Sequence, residues 1–218
     1  MAGLEKMAEF FEARIDGYDE HMMTNIESAD EFYLYTARAL QLDEGDCLLD
    51  LGCGTGLELE FCFKLVRDLT VTGIDLSEKM LNCLKNKLPD KNISLIQGSY
   101  FELPLGDSMY DKAVSVESLH HFTKEEKIPL YKRLRASLKN DGYFILTDYF
   151  AKNDDEEQSL RQNLLTLKAE NEIFDNDLYH YDTPLTVLHE TEALLEAEFS
   201  RVEILNNWGA TYTLKAYK

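Results

Sequence analysis

Proline is scarce in this chain, with four in 218 residues, and no apolar run approaches the roughly 18 to 20 residues that a membrane-spanning helix needs. Few breaks therefore interrupt regular structure, and no transmembrane helix is expected. Residues 1–16 mix Glu, Lys and Arg where a signal peptide would carry an apolar core, so a cytoplasmic location is expected. The four cysteines, Cys47, Cys53, Cys62 and Cys83, form no C-x-x-C pair and have no histidines at zinc-like spacing. They read as reduced, buried thiols. Positive charge is also short: 22 Lys and Arg face 41 Asp and Glu, for a formal net charge of -19, and no dense basic run occurs. Such a surface repels phosphate backbones, so a nucleic-acid partner is disfavoured and a small-molecule ligand favoured.

What is present is material for a buried core, 44% hydrophobic and 11% aromatic residues, with no linker, repeat or low-complexity segment. One domain over residues 1–218 is expected, as a monomer or homodimer. Met7, Phe10, Phe11 and Ile15, then Phe32, Tyr35, Ala39 and Leu40, recur at helical spacing and predict two leading helices within 1–45. From residue 46 to 150 short apolar runs alternate with helical stretches, the pattern of βαβ units. Strands are predicted at 47–51, 70–74, 93–97, 112–116 and 143–147, the last after a turn at Asn140-Asp141-Gly142. Helices are predicted at 56–67, 77–88 and 123–138, with Thr123 and Glu126 as a capping box. A helical insertion at 151–185, a helix over 186–198 and a hairpin around Trp208-Gly209 complete the chain.

The chemistry concentrates in Asp50-Leu51-Gly52-Cys53-Gly54-Thr55-Gly56, where a buried strand meets a helix. Glycines at alternate positions let the backbone approach a ligand, and the helix start offers free N–H groups. A dinucleotide loop needs Gly or Ala where Leu57 stands, so a nicotinamide cofactor fits poorly. Asp50 suits a ligand with an ammonium group, such as the methionine moiety of S-adenosylmethionine. Asp75 closes the second strand, where a carboxylate can accept both hydroxyls of a ribose.

With these motifs in this order, the chain resembles the class I S-adenosylmethionine-dependent methyltransferases from residue 46 to 218, in their small-molecule-like branch. Asp50 to Gly56, Gly73-Ile74-Asp75, Asp111 to His121 and Leu138 to Thr147 carry the resemblance. It implies an α/β fold with a doubly wound, Rossmann-like, seven-stranded, mostly parallel sheet and an antiparallel strand in a C-terminal hairpin. It also implies S-adenosylmethionine as cofactor. By position, Asp50, Gly52 and Gly54 would contact the methionine portion, Asp75 the ribose, and Leu76 and Met80 the adenine face, with Cys53 and Gly56 also binding the cofactor. Glu117 would line the cleft. Where relatives place an acidic residue for the adenine amino group, this chain has Gly98-Ser99-Tyr100, so Ser99 and Tyr100 stand in that role.

For the acceptor, His120 follows the fourth strand and is the candidate base; His121, beside Phe122, reads as packing. Tyr18, Tyr179, His180 and Tyr181 are candidate substrate-facing residues on lid elements. Asp148 ends the fifth strand without a neighbouring Asp-Asn pair, so no metal is expected. The expected activity is methyl transfer to a small-molecule acceptor. A tRNA acceptor stays open, as does a non-catalytic S-adenosylmethionine-binding module acting through a partner protein.

Overall fold

A computed structural model describes residues 4–175 and 177–218. Three helices lead the chain instead of two: α1 (Met7–Ala13), α2 (Tyr18–Asn25) and α3 (Ala29–Ala39). Gly17 and Ser28, both left-handed with φ of 80° and 59°, break the helical path that the apolar periodicity alone suggests.

Seven strands follow: β1 (Cys47–Leu51), β2 (Thr70–Asp75), β3 (Ile93–Gln97), β4 (Tyr110–Val116), β5 (Leu138–Tyr149), β6 (Arg201–Trp208) and β7 (Thr211–Tyr217). They form one sheet in the order β3-β2-β1-β4-β5-β7-β6. The first five strands run parallel, and β7 pairs antiparallel with both β5 and β6. Helices α4 (Leu57–Leu65), α5 (Glu78–Lys87) and α6 (Lys124–Ser137) make the crossovers, and α8 (Val187–Glu196) precedes the hairpin. The fold is thus the expected α/β, Rossmann-like arrangement. The turn expected at Asn140-Asp141-Gly142 is instead a bulge inside β5. The register jumps from Tyr110 opposite Leu138 to Lys112 opposite Tyr143, and the intervening β5 residues have no partner on β4.

The pleat distributes side chains to two cores. Leu49 and Leu51 join Leu130, Leu134, Ala193 and Phe199 on the α6 and α8 face, while Leu48, Val71 and Val114 meet Phe32, Leu59 and Cys62 on the α3 and α4 face. Both faces are covered, as a parallel sheet requires. Helix α6 opens with the predicted Thr123–Glu126 capping box. It is clamped to α8 by Lys127 Nζ, 2.5 Å from Glu190 Oε2, and by the Tyr131 hydroxyl, which donates to the same carboxylate. Helix α7 (Asp154–Glu170), capped by Asn153, buries no residue. No helix among the described residues is long and apolar enough to cross a membrane.

Candidate active site

Strand β1 delivers the chain to the carboxyl edge of the sheet, where the strand order reverses between β1 and β4 and a crevice opens. The backbone turns there with positive φ at Gly52, Gly54 and Gly56 before α4 begins. At Gly52 (φ 77°) a Cβ would lie 2.0 Å from Ser118 Oγ, so the loop meets the end of β4 too closely for any larger residue. The N–H groups of Gly52 and Cys53 donate to the Ile74 carbonyl, tying the loop to β2. One residue further, Asp75 accepts from Gly54 N–H at 2.9 Å and from Ser77 N–H at 2.8 Å. Burial raises its carboxyl, against the lowering effect of these bonds.

Beneath the loop Asp50 is fully buried, and among the described residues neither of its carboxylate oxygens has a hydrogen-bond partner; Glu58 Oε1 is in the same position. Burial, then the neighbouring Glu58, pushes the Asp50 carboxyl well above the usual range. Glu58 is raised chiefly by burial. Unsatisfied buried carboxylates are costly, and a cation set between them removes the cost. Phe11 and Tyr18 from the leading helices roof the cleft, which Gly52, Cys53, Gly54, Gly56, Asp75, Leu76, Met80, Tyr100 and Glu117 also line. Helix α2 is fastened to the loop by Asp19, which accepts from the Thr55 hydroxyl at 2.5 Å and pairs with Lys87 at 2.5 Å.

A second cavity of about 830 Å³ adjoins the first, between α1, α2 and the ends of β4 and β5. Phe11, Tyr18, Glu117 and His121 line both. Glu117, in left-handed backbone at φ 48°, accepts from Thr211 Oγ1 at 3.2 Å. Burial, then the Asp148 charge, brings its carboxyl up to about 7. His120 Nδ1 meets Asp148 Oδ1 at 2.6 Å, while its Nε2 faces Asp182 Oδ1 at 3.5 Å. Burial opposes its charge, yet the two carboxylates outweigh burial and raise the imidazole to about 10. An imidazole so held already carries a proton at neutral pH. The free-base role expected for His120 therefore does not suit this setting.

The structure brings most of the expected cofactor residues to one cleft, with exceptions: Asp50 lies fully buried beneath the loop and lines neither cavity. Ser99 lines neither cavity; its Oγ accepts from Phe101 N–H at 3.2 Å, and Tyr100 alone of that pair reaches the cleft. Of the lid residues, Tyr18 and His180 line the second cavity, whereas Tyr179 and Tyr181 do not. After the Tyr179–Lys6 bridge, alternate residues His180 and Asp182 reach the cavity, while Tyr179 and Tyr181 are half-buried elsewhere. The Tyr179 hydroxyl donates to Asp175 instead. Stacking on Phe10, with ring centroids 3.5 Å apart, holds His180 in place. Residues not foreseen include Phe11, Tyr33, Glu58, Ser118, Tyr149 and Asp182, and His121, expected to pack, lines both cavities.

The profile of a family described as a methyltransferase domain matches residues 48–142. An uncharacterized methyltransferase of Bacillus subtilis is 33% identical over 113 residues, 52% of this chain and 61% of its own length. The chain thus spans less than two thirds of that relative. A carboxy-S-adenosyl-L-methionine synthase of Nautilia profundicola is 26% identical over 99% of the chain and 96% of its own length. Among solved structures, a putative O-methyltransferase from Nostoc punctiforme superposes with a TM-score of 0.69 at 20% identity, covering 97% of this chain and 59% of that one. Residues 48–142 thus match a methyltransferase domain, and the solved neighbour shares the fold.

The lining of the cleft fits S-adenosylmethionine, the cofactor that the sequence resemblance implies. Glu58, with one oxygen unpartnered among the described residues, lines the cleft above the buried Asp50 carboxylate, a pairing that suits an ammonium group, and the glycine backbone admits the methionine portion. Asp75 stands at the strand end where a ribose is read.

Proposed function

We propose that the chain transfers the methyl group of S-adenosylmethionine to a small, partly aromatic or apolar acceptor bound in the second cavity. The sharing of Phe11, Tyr18, Glu117 and His121 between the two cavities carries this reading, because donor and acceptor would meet at that common wall. The cofactor supplies an electrophilic methyl group on a sulfonium. The chain's part is to align and enclose, and alignment alone contributes several kcal/mol to such a displacement. Asp50 and the glycine loop bind the amino-acid end, Asp75 the ribose, and Leu76 with Met80 the adenine. Phe10, Phe11, Met22 and Ile26 provide the apolar wall of the acceptor side. About 830 Å³ is within the usual size of small-molecule sites, and the net charge of -19 favours such an acceptor over RNA.

Cofactor binding should depend on pH with a definite sign. Asp50 and Glu58 hold raised carboxyls in the free protein, and an ammonium group beside them lowers both, so binding releases protons. Affinity should therefore strengthen as pH rises above the ordinary carboxylate range of about 4, and calorimetry in buffers of different ionisation heat should show net proton release. Proton uptake, or none, would remove the pair from the ammonium site.

The function itself is tested with methyl-labelled S-adenosylmethionine and fractionated metabolite and RNA pools. Label should pass to a small-molecule fraction with formation of S-adenosylhomocysteine. Tight cofactor binding without transfer to any fraction would support the non-catalytic module, and transfer to RNA alone would move the acceptor class to tRNA. The near full-length alignment with the carboxy-S-adenosyl-L-methionine synthase favours a second reading, modification of the cofactor itself. Mass spectrometry of the recovered cofactor separates the two.

A further inference from the structure

Histidine is rare here, five in 218 residues, yet His21, His120, His121 and His180 all line the acceptor cavity. Three side chains converge at its inner end: one ring nitrogen each of His120 and His121 and one carboxylate oxygen of Asp182 lie within 4.8 Å of one another. Asp182 Oδ1 faces His120 Nε2 and His121 Nδ1. The Asp182 oxygen is 3.5 Å from the first and 3.2 Å from the second. Charge-assisted hydrogen bonds close at about 2.7 to 2.9 Å, so these contacts are long for ion pairs. They match the separation of roughly 3.3 Å between neighbouring ligands of a tetrahedral ion with bonds of about 2.0 to 2.1 Å.

The surroundings are built for the same purpose. Asp148 takes His120 Nδ1 at 2.6 Å and is itself fixed by the N–H groups of Leu119, at 2.8 Å, and Tyr149, at 2.9 Å. This fixes the ring and turns Nε2 toward Asp182, the carboxylate–histidine arrangement that orients metal-bound imidazoles. Thr183 N–H donates to the His120 carbonyl at 3.0 Å and so brings the Asp182 segment to the pair. The Asp182 side chain is about half exposed, 49%, which leaves an entry path from solvent.

We propose that His120, His121 and Asp182 form a binding site for one divalent transition ion such as zinc, with a fourth position open to the acceptor cavity. Two imidazoles and one carboxylate with an open position are the donor set of a reactive site, and imidazole nitrogen favours zinc, nickel or iron over magnesium. An ion here supplies the positive charge that the two carboxylates otherwise draw onto His120 as a proton. Its use in the reaction rests on the methyl-transfer reading. An acceptor hydroxyl or thiol on the open position would give its proton to solvent, and its oxygen or sulfur would bond the methyl carbon. The methyl–sulfur bond would break with its electron pair staying on sulfur, leaving S-adenosylhomocysteine.

The site is tested by binding, apart from turnover. Tag-free protein stripped with chelator and titrated with cobalt(II) should take up about one equivalent with the intense visible bands of a four-coordinate ion, displaced by zinc. Asp182→Asn, a partly exposed position, should retain the fold by circular dichroism and S-adenosylmethionine affinity by calorimetry, yet weaken cobalt binding a hundredfold or more. Asp148→Asn should weaken it about 10- to 100-fold, and His189→Gln, whose side chain pairs with Glu157 elsewhere, should change nothing. Absence of four-coordinate bands, or bands unchanged in Asp182→Asn, would overturn the site. Cobalt binding that survives when no methyl transfer is found would uphold the site while removing the proposed reaction.

Discussion

Replacing Lys127 with Met should lower unfolding stability by about 3 to 5 kcal/mol, the usual cost of stranding one partner of a buried ion pair. Lys127 and Glu190 are each about 1% exposed, and their 2.5 Å contact joins α6 to α8. Loss of the ammonium leaves the Glu190 carboxylate with only the Tyr131 hydroxyl as a side-chain donor among the described residues. For a domain of this size, thermal unfolding should shift down by roughly 6 to 20 °C in calorimetry. The double variant Lys127→Met with Glu190→Leu should recover much of that loss, because two apolar side chains remove the stranded charge. A single variant within about 1 kcal/mol of the parent would show that the pair does not hold these helices together.

Asp75→Ala should weaken S-adenosylmethionine binding by about 1.5 to 3 kcal/mol, or roughly 10- to 150-fold, if the carboxylate takes the ribose hydroxyls. The side chain also receives the N–H groups of Gly54 and Ser77, so part of the loss could come from a loosened glycine loop. Comparing S-adenosylmethionine with its 2′-deoxyribose analogue separates the contributions. The parent protein should discriminate against the deoxy analogue, and Asp75→Ala should lose that discrimination. An unchanged affinity for the natural cofactor would place Asp75 outside the ribose site.

Legibility in the sequence followed the range of the interactions involved. The glycine loop, Asp75 and the Thr123–Glu126 cap depend on residues a few positions apart, so their local pattern carries their structure. Glu58 was missed because a Glu in the first turn of a helix ordinarily faces solvent and favours the dipole. The available signal was its company: Leu57, Leu59, Cys62 and Phe63 make that helix apolar on nearly every side, which leaves Glu58 no wet face. The choice of Tyr179 and Tyr181 as lid residues failed through phase. Alternate residues of this segment, His180 and Asp182, reach the cavity, and only the packing against the leading helix decides which alternate set does so. The expectation of no metal looked for acidic neighbours along the chain, whereas the cluster now proposed joins His120 and His121 to a carboxylate some sixty residues later.

The sequence by itself determined the order of elements from β1 onward, the mostly parallel seven-stranded sheet with its antiparallel hairpin, and the glycine loop. Hydrophobic period and glycine placement are local properties, and the right-handed crossover leaves few topologies for such a series. Tertiary structure alone decided how the leading helices roof the cleft, which histidines share a cavity, and that Asp148 and Asp182 flank His120 from opposite sides. Those relations come from separate segments packed against the sheet edge, and the electrostatics of a side chain are set by its neighbours in space, not along the chain.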